Sequence, residues 1–219
     1  MNKSLLLLIL IFISSAASAR EQNFYGGVGI GRSGADVTEI TKQDILDLGY
    51  SSVNNFQNGS NKSDTAWKIY GGYRFNPHVA AEVFYADLGK FSSNASGSAV
   101  DASSTTVNFT LNSALKINGF GAAALLGAPV SDQWSVFAKP GLFVWDAKLT
   151  VNNTKTGSSQ SVSTDKKGTS PSLGLGADYA FTSQLGARVE WERFFDVGDK
   201  NTTGKSNVNL FLLSVRYTP

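Results

Sequence analysis

The chain has 219 residues, 42% apolar and 16% charged, with a formal net charge of +2. It contains no cysteine and one histidine, His78, which excludes a disulfide framework, thiolate catalysis and cysteine-based zinc sites and leaves little room for a catalytic triad. Near-neutral charge without a long basic stretch argues against a nucleic-acid footprint, while 22 glycines and 11% aromatics suit antiparallel sheets and barrels.

Residues 1–19 predict an export signal. Lys3 gives the basic start, Leu5 to Ile13 the apolar run and Ala17-Ser18-Ala19 the small-residue cleavage pattern. Nine apolar residues are too few for a transmembrane helix, which needs about 20. The mature chain is therefore expected to begin at Arg20 and to form one domain over residues 20–219. No later segment has a long apolar run, which leaves membrane strands of about 9–11 residues, a signal that hydropathy averaging hides.

Period-two alternation appears along the whole domain. In Phe24 to Arg32, Phe24, Val28 and Ile30 share one face, with Tyr25 and glycines on the other. Trp67 to Phe75 sets Trp67, Ile69, Tyr73 and Phe75 against Lys68, Tyr70 and Arg74, and Val79 to Tyr85 sets Val79, Val83 and Tyr85 against Ala80, Glu82 and Phe84. A strand over 119–127 is needed to complete the count, with Phe120, Ala122, Ala124 and Leu126 on its apolar face. Trp134 to Val144 places Ser135, Phe137, Lys139 and Phe143 on the minor face, and Leu173 to Phe181 places Asp178 there. Leu185 to Trp191 contributes Arg188 and Glu190, and the last strand opposes Phe211, Leu213, Val215 and Tyr217 to Leu212, Ser214 and Arg216.

The eight predicted strands are joined alternately by short turns (76–78, 128–133, 182–184) and by long Ser-, Asn-, Thr- and Gly-rich segments (33–64, 91–118, 146–172, 196–207). That alternation suits an outer-membrane barrel rather than a lipocalin-type soluble one. Two features place the apolar face outside. Lys68, Arg74, Glu82, Lys139, Asp178, Arg188, Glu190 and Arg216 sit mid-strand, five basic and three acidic, a near balance that a narrow interior requires. The aromatics Trp67, Phe75, Trp134, Phe181, Trp191 and Tyr217 lie at strand ends, as interfacial girdles do.

Local signals are modest. Pro140, inside a central strand, predicts a bulge. Thr41 as N-cap, Asp44 three residues on, apolar Ile45 and Leu48 and a Gly49 stop predict a short helix in the first long loop, which either caps the barrel mouth or fills the loop. Gly29 to Gly34 fits G-x-G-x-x-G, but no helix opens there. His78 belongs to an Asn-Pro turn, Glu190 and Glu192 at i, i+2 both face the lumen as structural groups, and the Asn-x-Ser/Thr triplets at Asn58, Asn61, Asn94, Asn152 and Asn201 follow from loop composition.

Gly71 to Phe91 (GGYRFNPHVAAEVFYADLGKF) resembles the second hairpin of the OmpA transmembrane domain. Ala128 to Lys148 (APVSDQWSVFAKPGLFVWDAK) is similar to that family's central hairpin and Ser170 to Glu192 (SPSLGLGADYAFTSQLGARVEWE) to the third. With FYGGVGIG (Phe24 to Gly31) and the closing strand, the likeness spans nearly all of the domain in order. It implies an all-β, eight-stranded, antiparallel up-and-down transmembrane β-barrel, with the family's interior ion-pair cluster at Glu82, Asp178 and Arg188 and another interior base at Lys139. Leu125 stands where the family has the lysine that would partner the acid at Asp178, leaving Lys139 or Lys68 to serve. The family's peptidoglycan-binding domain is missing after Pro219, so no cell-wall tether is expected, and Tyr217 is the nearest candidate for the usual terminal aromatic.

The expected function is structural. A monomeric outer-membrane barrel displays long loops, while Lys68, Arg74, Glu82, Lys139, Asp178, Arg188 and Glu190 hold the lumen shut against all but small solutes or ions. On that reading Arg188→Ala raises conductance. No catalytic, cofactor-binding or metal residues are expected. The expected partners are outer-membrane lipid, lipopolysaccharide and the outer-membrane assembly machinery, with no nucleic acid. The alternative is an adhesin or receptor whose loops bind host or phage components; a lipid-acting enzyme is weakened by the lack of a His–Ser pairing.

Overall fold

The computed structural model describes residues 23–200 and 202–219; the export signal and Arg20 lie outside the described residues. The chain forms β1 (Phe24–Ala35), a helix α1 (Lys42–Asp47), β2 (Ser52–Asn61), β3 (Ser63–Asn76), β4 (Val79–Val100), β5 (Thr106–Pro129), β6 (Trp134–Lys155), β7 (Ser158–Ala180), β8 (Leu185–Asp199) and β9 (Gly204–Tyr217). Each strand from β3 to β9 pairs antiparallel with the next, and β1 pairs with both β3 and β9. The ladder therefore closes into a ring of eight strands, which removes the sheet edges. β2 is a ninth strand that the alternation did not signal. It pairs with the far half of β4, from Asn61 opposite Ser92 to Ser52 opposite Val100, and continues the line of β3.

Side-chain direction follows the pleat. Trp67, Val83 and Leu213 are 43%, 65% and 60% exposed, while Glu82 and Arg188 are 2% and 1% exposed. Apolar groups thus cover the outside and ionisable ones the inside, the arrangement that a barrel surrounded by hydrocarbon requires. The outer aromatics form rows at both borders of the apolar band. Trp67, Tyr85 and Phe120 pack in tilted and edge-to-face contacts with centroids 5.4 and 4.9 Å apart at one border. Phe24, Tyr73 and Phe75, at 4.8 and 5.2 Å, and Trp134, Tyr179 and Phe181, at 4.8 and 5.1 Å, mark the short-turn border. On the inner face, glycines admit rings from neighbouring strands: a Cβ at Gly72 would strike the Tyr25 ring, and one at Gly27 the Tyr70 ring.

Three local expectations change. First, most of the long segments are not loops. β4 to β7 run for 22 to 24 residues, leaving connections only at 101–105 and 156–157. Above the lipid both faces of a strand tolerate polar side chains, so the hydrophobic alternation fades while the hydrogen-bond ladder continues. Second, Pro140 makes no bulge. Ala123 opposite Gly141 and Leu126 opposite Ala138 keep one register on either side of it. A missing N–H removes rungs without inserting a residue, and the exposed ring points outward. Third, a bulge does occur in β4, between Asp87 and Lys90. There Gly89 adopts φ +83° and the Lys90 amide donates to Asp64 Oδ2 at 2.7 Å. The bulge exchanges faces, so Glu82, Phe84 and Leu88 point inward before it and Phe91 and Ala95 after it.

α1 has the expected Thr41–Asp44 capping box. It buries Ile45 against Val53, Ala95, Ala99 and Phe109, whereas Leu48 is exposed. The irregular segment before it is tied to β2 and the residue that follows it. The Ser60 hydroxyl donates to Glu39 Oε1 at 2.9 Å and Lys62 lies 3.4 Å away, and together they hold the Glu39 carboxyl below its usual range.

Gly89 and Gly157 both have positive φ, but a Cβ at Gly89 would meet Thr65 O at 2.8 Å, whereas Gly157 is open. Gly157→Ala should therefore cost about 1 kcal/mol from backbone strain alone, and Gly89→Ala distinctly more. Urea midpoints read from the heat-modifiable gel mobility of the folded barrel will test that order.

Candidate functional site in the barrel lumen

Inward positions of five strands converge on one charge cluster: Lys68 from β3, Glu82 from β4, Lys139 from β6, Asp178 from β7, and Arg188, Glu190 and Glu192 from β8. Arg188 is its centre. It donates from Nη1 to Glu82 Oε2 at 2.6 Å and grips Asp178 with Nε and Nη2 at 3.0 and 3.3 Å. Lys139 Nζ lies 3.2 Å from Glu82, 3.0 Å from Glu190 and 3.0 Å from Glu192. Lys68 pairs with Glu190 and, at 3.0 Å, with Glu192. Arg216 of β9 approaches Asp178 at 3.8 Å. The Tyr25 hydroxyl donates to Glu82 at 3.3 Å.

Four cations (Lys68, Lys139, Arg188, Arg216) thus face four carboxylates (Glu82, Asp178, Glu190, Glu192). Aromatic faces line the cations: Arg188 lies 4.7 Å from the Tyr70 and Phe137 centroids, and Lys139 and Lys68 lie 4.9 and 5.2 Å from that of Phe84. Such faces stabilise desolvated cations that water no longer reaches.

Toward the long-hairpin end the lumen turns apolar. Phe84, Phe143 and Phe194 pack with Phe143 and Phe194 centroids 4.5 Å apart, and Leu88, Phe91, Ile117 and Leu210 are fully buried beside them. Toward the short turns lies a vestibule of about 190 Å³ lined by Tyr25, Arg74, His78, Trp134, Asp178 and Arg216 among others. Among the described residues no group of three His, Asp or Glu could hold a metal ion. His78 Nδ1 lies 3.1 Å from Gly127 O at the rim, in its short turn.

Of the residues named from sequence, Lys68, Glu82, Lys139, Asp178, Arg188 and Glu190 meet as one cluster. Arg74 does not join it. It is half-buried at the vestibule, 5.8 Å from the Tyr25 ring, with no ion pair among the described residues. Glu192, read from sequence as a lumen-facing structural group like Glu190 but not named among the cluster residues, belongs with the cluster through Lys68 and Lys139. Leu125 is buried, and Asp178 takes Arg188 where a lysine was sought. The apolar layer was missed altogether, because Phe84 and Phe143 had been placed on the minor face without weight being given to their bulk.

Removing one member of a buried pair strands its partner and costs about 3–5 kcal/mol. Glu82→Gln should therefore lower folded stability by that order, since Glu82 serves Arg188, Lys139 and Tyr25 at once. Arg74→Gln, outside the cluster, should change it by less than about 0.5 kcal/mol. Equilibrium unfolding of both variants in lipid vesicles checks the contrast.

Comparison with known proteins agrees with this architecture. The family model for the OmpA-like transmembrane domain matches residues 19–219. Outer membrane protein A of Escherichia fergusonii is 31% identical over 149 residues, covering 68% of this chain and 38% of that protein. The Klebsiella pneumoniae protein of the same name is 30% identical over 211 residues, covering 94% and 54%. The chain spans about half or less of the length of these curated relatives. The crystal structure of Neisserial surface protein A aligns with a TM-score of 0.49 at 15% identity, over 90% of this chain and 97% of that one. A closed ring with an apolar exterior, matched from end to end by one family model, is a bacterial outer-membrane β-barrel, and the chain belongs to the OmpA-like transmembrane domain family.

Proposed function

We propose that this barrel serves the envelope as a closed structural element, with its lumen sealed by two layers in series. The observation that carries the reading is the burial of the whole lumen filling. Lys68, Lys139, Arg188, Glu82, Glu190 and Glu192 in one layer and Phe143, Phe194, Leu88, Phe91, Ile117 and Leu210 in the next are all less than 2% exposed. The charged layer opposes passage because an entering ion must break paired, desolvated contacts. The apolar layer opposes it because nothing there replaces an ion's hydration shell.

The order of the layers alters the expectation from charge alone. Arg188→Ala opens the first layer and leaves the second intact, so its single-channel conductance in planar bilayers should stay close to that of the parent. Combining it with Phe143→Ala and Phe194→Ala should raise conductance clearly. Opening by Arg188→Ala alone would refute the two-layer seal.

The partners on this reading are outer-membrane phospholipid and lipopolysaccharide against the apolar band, and the assembly machinery that inserts such barrels. The ring closes within one chain, which suits a monomer. The reading is non-enzymatic: His78 sits at a short turn, away from the long hairpins, and no hydroxyl is hydrogen-bonded to its ring in the described residues.

A second reading, an adhesin or receptor for host or phage components, is favoured by one observation. The β4–β5 and β6–β7 hairpins carry paired backbone well past the aromatic border at Tyr85 and Phe120 and end in polar tips, so they present a fixed surface rather than a mobile one. Deleting residues 92–106 should abolish cell or phage attachment if that hairpin is the contact; unchanged attachment removes it.

A further inference from the structure

The vestibule at the short-turn end holds more positive charge than the lumen cluster absorbs. Three guanidinium groups surround the Tyr25 ring, those of Arg188, Arg74 and Arg216, at 5.7, 5.8 and 6.0 Å from its centroid. Arg188 is saturated by Glu82 and Asp178. Arg216 reaches only the same Asp178, at 3.8 Å, beyond hydrogen-bond distance. Its Nε has no acceptor although the side chain is nine-tenths buried. Arg74 makes no ion pair with any described residue. The remaining acid on the lining, Asp132, sits exposed in the 130–133 turn, also without an ion pair.

A buried charged donor without an acceptor, here Arg216 Nε, is costly, and a bound ion is one way such a donor is satisfied. Arg74 comes from β3 and Arg216 from β9, the two strands that flank β1 and its Tyr25. A carboxylate is planar and satisfies one guanidinium fork, whereas a tetrahedral phosphate offers oxygens in more than one plane and can serve two. We propose that the vestibule is an oxyanion site in which Arg74 and Arg216 hold a phosphate group entering from the periplasmic side. Short turns face the periplasm in barrels of this class, so the source is either free phosphate or the phosphodiester of a phospholipid headgroup. The site is independent of whether the lumen conducts, since Arg74 lies outside the sealing cluster.

The test uses the full chain folded in a phosphate-free maltoside detergent. Inorganic phosphate is titrated at ionic strength fixed with chloride, and phosphorus NMR linewidth and the temperature at which the folded gel band disappears are followed. Saturable broadening and stabilisation are expected, weakened at least tenfold in Arg74→Gln while its folded band persists. Arg216→Lys, which keeps the charge and loses the fork, should also weaken binding, so the result does not depend on a variant that fails to fold. A parallel titration with glycerophosphoglycerol separates the sources: tighter binding of the diester assigns a lipid headgroup, and tighter binding of inorganic phosphate assigns the free ion. A response linear in salt, one reproduced by chloride, or one unchanged in Arg74→Gln overturns the site. Acetate competing as strongly as phosphate overturns the assignment to phosphate.

Discussion

Hydrocarbon offers backbone amides no hydrogen-bond partner, and every other feature of this molecule follows from that constraint. A sheet in lipid must close, and here closure is the pairing of β1 with β9 from Gly26 opposite Tyr217 to Ala35 opposite Val208. Closure fixes an inside and an outside, and the pleat then assigns each residue to one of them by parity. Eight strands leave an interior wide enough for side chains and little else, so whatever the parity sends inward has to pack and neutralise itself there.

The inner face meets that demand in two ways along the barrel axis. Near the short turns, glycines at 27, 72 and 176 free the space that Tyr70, Tyr25 and Phe137 occupy. The desolvated Arg188 guanidinium is thereby bounded by the Glu82 and Asp178 carboxylates and by the Tyr70 and Phe137 rings. Farther along, Phe143 lies four residues beyond Lys139 on β6, and Phe194 two beyond Glu192 on β8, so the same strands pass from charge to hydrocarbon within about 7 to 14 Å. The lumen is thereby a layered core. Its charges are balanced by partners of their own layer, because none could be screened by the apolar layer next to it.

What was legible from the residues is what lipid imposes directly. Trp67, Val83 and Leu213 had to face out, so the alternation that located them also placed Glu82, Asp178 and Arg188 inside, and the ring of eight strands follows from that pattern. Where lipid ends, legibility ends. Phe91 to Asn118 reads as loop because the outward face no longer meets lipid there and the alternation fades, yet its amides remain paired from Lys90 opposite Lys116 to Val100 opposite Thr106. Pro140 misled for a different reason: a missing donor and an extra residue look alike in sequence but differ in register. Gly89, which does mark a bulge, looked like one more glycine among many. Only the crossing of β4 past Asp64 gives it a role.

Glu192 ties these threads together. Counted without it, the inward groups number five bases to three acids, a near balance that still leaves two bases over. Counted with it, the cluster around Arg188 is neutral and Arg74 is left over, on the side open to solvent, where an excess cation is tolerable. The surplus thus falls where water can reach it: the charges deep in the lumen have fixed partners, whereas Arg74 is half-buried at the vestibule.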